Sequence, residues 1–347
     1  MLDTLEVPIV QAPMAGGPST PELAAAVAGA GGLGFVAGGY RTPEGLRDAI
    51  TRTRALTDRP FGVNLFAPTG APADPAVVRA YADHLQPDAD RAGVALGAPR
   101  FDDDAFDAKL DVLTTDPVAV VSFTFGCPSH ETIARIRATG AAFWVTVTDP
   151  DEAREAVAAG ADALVVQGLE AGGHRGSFAD EDGRDEPGVL ALLQLVRAAV
   201  DVPLVATGGI ATGGAIAAVL SAGARAAQLG TAFLRCPEAA TSGPHRAAVA
   251  SDTPTALTRA FTGRLARGIE NRFLREHSAQ APRAYPEVHH VTAPLRAHGR
   301  SVGDGEVLNL WAGQAHALAR EAPAEQLVRE LAAEARRALD DARSLLG

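Results

Sequence analysis

The feature that most constrains this chain is a rhythm. Short apolar runs of strand length alternate with longer, alanine-rich stretches from Pro8 to Leu229. The runs are Pro8–Met14, Leu33–Ala37, Phe61–Phe66, Val118–Phe125, Ala141–Val147, Ala163–Val166, Val202–Thr207 and Ala226–Leu229. Most are apolar at successive rather than alternate positions, as in strands of a parallel sheet covered on both faces. The intervening stretches carry helix-start chemistry. Thr20-Pro21, Thr42-Pro43 and Asp149-Pro150 each set a capping side chain before a proline at the first helical position. Helices are expected after these, and over Pro128–Thr139, Gly188–Val200 and Ile210–Ala222. Eight strand–helix units in series predict an α/β fold, a (β/α)8 TIM barrel; a doubly wound parallel sheet is the alternative.

Two regions depart from the rhythm. Residues 67–116 are rich in Pro and Asp, with helices expected near Ala76–Ala92 and Asp103–Leu113, and read as an insertion over one end of the sheet. Later, Pro254, Pro282, Pro286 and Pro294 break a mostly helical stretch that closes with an amphipathic helix, Ala324–Leu346. The expected organisation is a barrel over 1–250 and a small, mostly helical extension over 251–347 that packs near the barrel mouth.

Composition excludes several classes. A net charge of -11 and a pI near 5.3 offer no basic stripe for nucleic-acid phosphates. No apolar run is long enough for a membrane span. The N-terminus, acidic and carrying Pro8, lacks the basic start and apolar core of a secretion signal. Cys127 and Cys236 fit neither a metal spacing nor a disulfide framework, which points to a reducing cytoplasm. Lys109 is the only lysine, so Schiff-base chemistry would rest on it alone. Monomer and homodimer both remain open.

In a barrel of this kind the active site lies at the C-terminal ends of the strands. Those ends carry Gln11, Asn64, Ser122, Thr124, Thr146 and Gln167, amides and hydroxyls that interrupt apolar runs. After the sixth run comes QGLEAGGHRGSF (Gln167–Phe178), where Gly172, Gly173 and Gly176 surround His174. A histidine suits proton transfer near neutrality, and glycines allow close approach of a ligand. The sequence reads this stretch as a mobile loop. After the seventh and eighth runs come Thr207-Gly208-Gly209-Ile210 and Gln228-Leu229-Gly230-Thr231, where barrels commonly hold a phosphate. A phosphate there, with Asn64 and Gln167 free to hydrogen-bond a flat heterocycle, suits FMN. No GxGxxG opens a helix after the first strand, which argues against a dinucleotide fold.

These pieces resemble nitronate monooxygenases of the class I type, formerly called 2-nitropropane dioxygenases. The matching segments are QAPMAGG (Gln11–Gly17), FGVNLF (Phe61–Phe66), SFTFG (Ser122–Gly126), VQGLEAGGHRGSF (Val166–Phe178), ATGGI (Ala206–Ile210), QLGTAFL (Gln228–Leu234), FTGRLARGIENRF (Phe261–Phe273) and LWAGQ (Leu310–Gln314). The resemblance implies an FMN-dependent TIM barrel that oxidises alkyl nitronates, such as propionate 3-nitronate, with O2 to carbonyl compounds and nitrite. It implies His174 as catalytic base and FMN contacts from Asn64, Gln167, Gly172, Gly209, Gln228, Leu229, Gly230 and Thr231, with Gly173 and Gly208 beside them. The backbone of Pro13, Met14 and Ala15 would run along the flavin's pyrimidine side. Relatives line the substrate pocket with tyrosines and a lysine. Here Tyr285 is expected to line it, with His289 nearby and Ser122 at the strand-four end.

Flavin-dependent NAD(P)H reductases of the enoyl-acyl-carrier-protein and quinone types share the barrel and a GGH loop, and a non-catalytic flavin-binding protein is a further alternative. EAGGHRGSF together with FTGRLARG and LWAGQ favours the nitronate enzymes. No metal is expected, because nothing in the sequence completes a site around His289-His290. Cys127 reads as a small half-buried residue, and Asp102–Asp104 as a solvated helix start.

Overall fold

The computed structural model describes residues 1–68, 70–181 and 187–345; Leu346, the last residue of the expected terminal helix, lies outside them. The strands are β1 (Ile9–Gln11), β2 (Gly34–Ala37), β3 (Phe61–Phe66), β4 (Val120–Thr124), β5 (Ala142–Val147), β6 (Ala163–Gln167), β7 (Gly173–His174), β8 (Leu204–Thr207), β9 (Ala226–Leu229), β10 (Thr255–Thr258) and β11 (Ala266–Ile269). The helices are α1 (Pro21–Gly29), α2 (Pro43–Leu56), α3 (Pro75–Ala92), α4 (Phe106–Thr115), α5 (His130–Ala138), α6 (Pro150–Ala159), α7 (Val189–Ala199), α8 (Gly213–Ser221), α9 (Gly243–Val249), α10 (Arg272–His277), α11 (Glu287–Val302) and α12 (Ala324–Leu345).

Eight strands pair in parallel in the order β1-β9-β8-β6-β5-β4-β3-β2, and a parallel bridge from Val10 to Leu33 brings the ends of that sheet together. This is the TIM barrel. The capping prolines behave as expected: the Thr20, Thr42 and Asp149 side chains accept hydrogen bonds from first-turn amides of α1, α2 and α6. Alternate strand residues face opposite ways. Val10, Phe35, Val120, Trp144, Val165 and Val205 form one cluster, and Val36, Val63, Val145, Leu164 and Ala206 pack with the helices. Phe35 and Trp144 meet with ring centroids 5.9 Å apart. Trp144 is 1% exposed, so Trp144→Ala costs about 3–5 kcal/mol.

The ring helices are drawn from along the whole chain. From the insertion, α4 packs between α2 and α5. From the far end, α12 packs on α8 and α1. Its apolar stripe (Leu327, Val328, Leu331, Ala335) is buried there, which is why that amphipathic helix returns to the barrel. The remaining part of the insertion joins the extension in a separate core, where Val78, Tyr81 and Leu85 of α3 pack with Phe261, Phe273, Val288 and Val291. The extension also holds a hairpin, β10–β11, which the sequence reading did not place; β11 pairs with β7. No helix among the described residues is long and apolar enough to cross a membrane.

Candidate active site

A cavity of about 440 Å³ opens at the C-terminal ends of the barrel strands, roofed by the extension. Pro13, Met14, Ala15, Asn64, Gln167, Gly172, Gly173, His174, Gly208, Gly209, Gln228, Gly230 and Thr231 all line it. Three expected residues do not. Leu229 belongs to the cluster that packs with the helices, with its carbonyl accepting from Ala12 N at 2.8 Å. Ser122 is buried below the cavity, where its hydroxyl accepts from Asn64 Nδ2 at 3.0 Å. Tyr285 stands behind the lining: its hydroxyl is 3.1 Å from that of Tyr40, and its ring contacts His174 and Phe125.

The QGLEAGGHRGSF stretch is a fixed element rather than a mobile loop. Its Gly173-His174 pairs with Ala266-Arg267 of β11, and Arg175 N donates to Leu265 O at 2.8 Å. Underneath, Gln167 Nε2 donates to His174 O at 3.1 Å and its Oε1 accepts from Gly176 N at 2.7 Å. Gln167 is thus engaged in holding the histidine segment. Gly172 allows the close approach: a Cβ there would lie 2.4 Å from the Ala312 backbone of the extension.

The imidazole of His174 packs against Phe125, Tyr285 and Trp311. Its Nε2 lies 2.8 Å from Thr262 Oγ1, and Thr262 Oγ1 can donate on to Arg264 O at 3.3 Å. With Thr262 donating to Arg264 O, Nε2 carries the hydrogen and Nδ1 keeps its lone pair; with Thr262 donating to Nε2, the two nitrogens exchange roles. Burial, then the charges of Arg264 and Arg296, push the histidine down to about 3. It is therefore neutral across the physiological range.

At the phosphate end, the expected helix over Ile210–Ala222 starts later, at Gly213. Its first amides are already taken: Thr212 Oγ1 accepts from Ala215 N and Glu334 from Gly213 N. The groups lining the cavity are instead the backbone of Thr207–Ala211 and Gly230-Thr231, with Gly208 at φ 120° and Gly209 at φ 67°, left-handed values that favour glycine.

Several lining residues carried no expected role. Tyr40 sits at φ 64° with its backbone N–H donating to Asp104 Oδ1 at 3.0 Å, and its ring stacks on His289 at 4.3 Å. Asp104 in turn pairs with the buried Lys109 at 2.6 Å, and Asp102 with His290 at 2.9 Å. Asp102 and Asp104 are accordingly partners that fasten the insertion to the cavity wall, not a solvated helix start. Phe66, Phe125, Thr262, Arg296 and Trp311 complete that wall. Thr262 and Trp311 lie within the FTGRLARG and LWAGQ motifs, the one sequence signal that could have found them. Cys127 is half-buried and its thiol is pushed up to about 11, so it is no nucleophile.

A nitronate monooxygenase family model matches residues 1–334. The chain belongs to that family. The nitronate monooxygenase of Pseudomonas aeruginosa is 42% identical over 345 residues, covering 96% of this chain and 97% of that one. The solved nitroalkane oxidase of Streptomyces ansochromogenes superposes with a TM-score of 0.95 at 53% identity, with 99% of both chains covered. FabK of Thermotoga maritima lies further away, with a TM-score of 0.79 at 27% identity, covering 99% of this chain and 97% of its own. The family assigns the chain to the flavin-dependent oxidoreductases.

Proposed function

We propose that this oxidoreductase holds FMN in the cavity and oxidises alkyl nitronates, propionate 3-nitronate among them, with O2 to carbonyl compounds and nitrite. The observation that carries the reading is His174, a neutral imidazole fixed between the barrel and the extension on the wall of the cavity. The residues present fit the cofactor. The backbone of Thr207–Ala211 and Gly230-Thr231 offers amides for a phosphate. Asn64 and Gln228 line the cavity with amide side chains suited to a heterocycle's edge, and the Ala12–Gly16 backbone borders the same space. FMN, when bound, supplies the electron transfer.

The chain's own residues supply position and charge. Phe125, Tyr285 and Trp311 pack around the imidazole and hold its ring in place on the cavity wall. Arg264 and Arg296, whose charges lower His174, also stabilise an anion beside it. A base held near 3 gains little by taking a proton from carbon, so the site favours a nitronate that arrives already ionised. The negative charge of that ligand would itself raise His174 again. A second reading is direct oxidation of neutral nitroalkanes, with Nδ1 of His174 taking the α-proton; the likeness to a nitroalkane oxidase favours it.

The test is to release the chromophore by heat, identify it against standards, and follow O2 uptake and nitrite with propionate 3-nitronate. FMN and stoichiometric nitrite are expected. FAD, or a colourless protein that cannot be reconstituted, overturns the cofactor. Fast saturable bleaching by NAD(P)H, without turnover of nitronate, moves the chain to the reductases.

A further inference from the structure

Four non-glycine residues among those described have φ in the left-handed region: Tyr40 at 64°, Asp104 at 58°, Ala105 at 53° and Phe125 at 78°. Such a conformation is unfavourable for a residue with a Cβ and persists only where its neighbours enforce it. Two of the four are aromatic residues of the cavity wall, and Asp104 is bonded to one of them. Tyr40 is the third residue of a tight turn that Arg41 N closes by donating to Gly38 O at 3.2 Å. Glycine or asparagine is the usual residue where a turn needs positive φ at that position. A bulky tyrosine there has to be held.

Its holder comes from the insertion. Tyr40 N donates to Asp104 Oδ1 at 3.0 Å, and Asp104 Oδ2 meets Lys109 Nζ of α4 at 2.6 Å. Lys109 is 1% exposed, and α4 packs between α2 and α5 in the ring of helices. Asp104 N in turn donates to Asp102 Oδ1 at 3.2 Å, and Asp102 Oδ2 lies 2.9 Å from His290 Nε2. A buried ammonium anchored on the barrel fixes one carboxylate oxygen of Asp104 while the other holds the Tyr40 backbone. From Tyr40 the contacts run to the chemistry. Its ring lies flat on His289, with centroids 4.3 Å apart, and edge-on to Phe66 at 5.3 Å. Its hydroxyl is 3.1 Å from that of Tyr285. Phe66 packs on Phe125, and the rings of Phe125 and Tyr285 both lie 5.8 Å from that of His174.

We propose that Asp104, locked by Lys109, is a positioning residue for the reaction: it holds Tyr40 in its left-handed turn, and Tyr40, through Tyr285 and through Phe66 and Phe125, sets where the His174 ring stands. The inference rests on the nitronate reading above. Neither Asp104 nor Lys109 lines the cavity, so both act only through the residues they hold. Catalysis is sensitive to displacements of this kind, since a misplacement of about 1 Å caused from a distance can cost about a hundredfold in rate.

The experiment follows kcat and KM of FMN-reconstituted enzyme on propionate 3-nitronate. Asp104→Ala should keep FMN and lower kcat on the order of tenfold to a hundredfold. Tyr40→Gly, which fits the left-handed turn without strain but has no ring, should lower it to a similar extent. Adding Asp104→Ala to Tyr40→Gly should then change kcat by less than about twofold, because the clamp has nothing left to hold. Asp104→Asn with Lys109→Met should recover most of the wild-type kcat, since the amide oxygen still accepts from Tyr40 N and no buried charge is left alone. An unchanged kcat in Asp104→Ala or in Tyr40→Gly overturns the proposal, as does a lack of recovery in the paired variant. Equal losses from Asp104→Ala in both backgrounds also overturn it, because a general loss of stability would produce them. So does loss of FMN from a folded Asp104→Ala. Should Asp104→Ala fail to fold by circular dichroism, Asp104→Ala with Lys109→Met replaces it in both backgrounds. If the wild type turns over no nitronate, the function above falls, and histidine NMR judges the clamp alone; the same spectra decide if Tyr40→Gly leaves too little turnover to compare. The ring protons of His289, identified by their loss in His289→Gln, should lie upfield under the Tyr40 ring and move downfield in the Asp104 variant. Movement supports the clamp, and an unmoved signal overturns it.

Discussion

The cavity has two walls built on different principles. The barrel wall is made of strand ends, and presents backbone at Pro13–Gly16, Gly208-Gly209 and Gly230 with amide side chains at Asn64 and Gln228. The opposite wall is made of side chains: His289, Arg296 and Trp311 of the extension with Tyr40 from the β2–α2 connection, Tyr285 behind them and Thr262 under His174. Backbone amides and carboxamides recognise a shape and a phosphate but carry no net charge, which suits a permanent cofactor. Aromatic rings and arginines set polarity and charge, which suits the choice and activation of a small substrate. His174 lies on the seam, with Gln167 of the barrel beneath its carbonyl and β11 of the extension alongside it.

Substitutions on the two walls should therefore fail in different ways. The largest effect is expected on the barrel wall. Gly209→Asp should abolish FMN retention, because the residue sits at φ 67°, a Cβ would lie 2.9 Å from Glu170 Cβ, and the new carboxylate would repel a phosphate; the visible absorbance of purified protein checks this. If the cofactor stays and only KM rises, the two walls share one task. On the seam, if His174 takes the α-proton of neutral nitroalkanes as in the second reading, His174→Asn should keep FMN and lower kcat/KM for them on the order of 10²-fold or more, with a smaller loss on preformed nitronate. Equal losses would show that His174 is no base.

Next in size is the attachment of the extension. Asp88, 5% exposed on α3, pairs with Arg272 at 2.7 Å and with His277 at 3.1 Å on α10. Burial raises the Asp88 carboxyl, but the hydrogen bond and charge of Arg272, with His277 and Arg91, outweigh it and hold the group below the usual range. A carboxyl lowered in the folded state adds stability above its unfolded value and loses it as pH falls towards the folded one. Asp88→Asn should cost about 3 kcal/mol in urea unfolding at neutral pH, with a smaller cost in acid. A pH-independent cost would mean that Asp88 acts by packing alone.

The smallest effect is on pH dependence. Since His174 lies near 3, kcat/KM for preformed nitronate should show no His174 limb between about pH 5 and pH 8. His245, pushed down by burial to about 4, makes a matching stability prediction. Its unfolded form takes up a proton that the folded form refuses, so stability falls as pH drops from about 6.5 towards 4. His245→Gln should flatten that slope in thermal melts, and an unchanged slope would place the acid sensitivity elsewhere.

How much of this was legible follows from range. Strand β3 fell on the expected residues, and β9 did too, because a doubly covered strand needs an apolar run and nothing else. The caps at Thr20, Thr42 and Asp149 were equally local. So the sequence by itself determined the barrel, its rim of glycines and amides, and His174 on that rim. Only the tertiary structure decided which distant residues meet there. Hairpin β10–β11 turns the histidine loop into a strand through backbone hydrogen bonds, which leave no residue-type signature. Arg296, Thr262 and Trp311 reach the cavity because α3 and the extension share a core on top of the barrel. Helix α12 closes the ring from the far end of the chain because its apolar stripe finds the space between α8 and α1. Amphipathicity shows that a helix must be buried on one face; it does not say against which partner, since apolar burial is non-directional and only the assembled surfaces fix the choice.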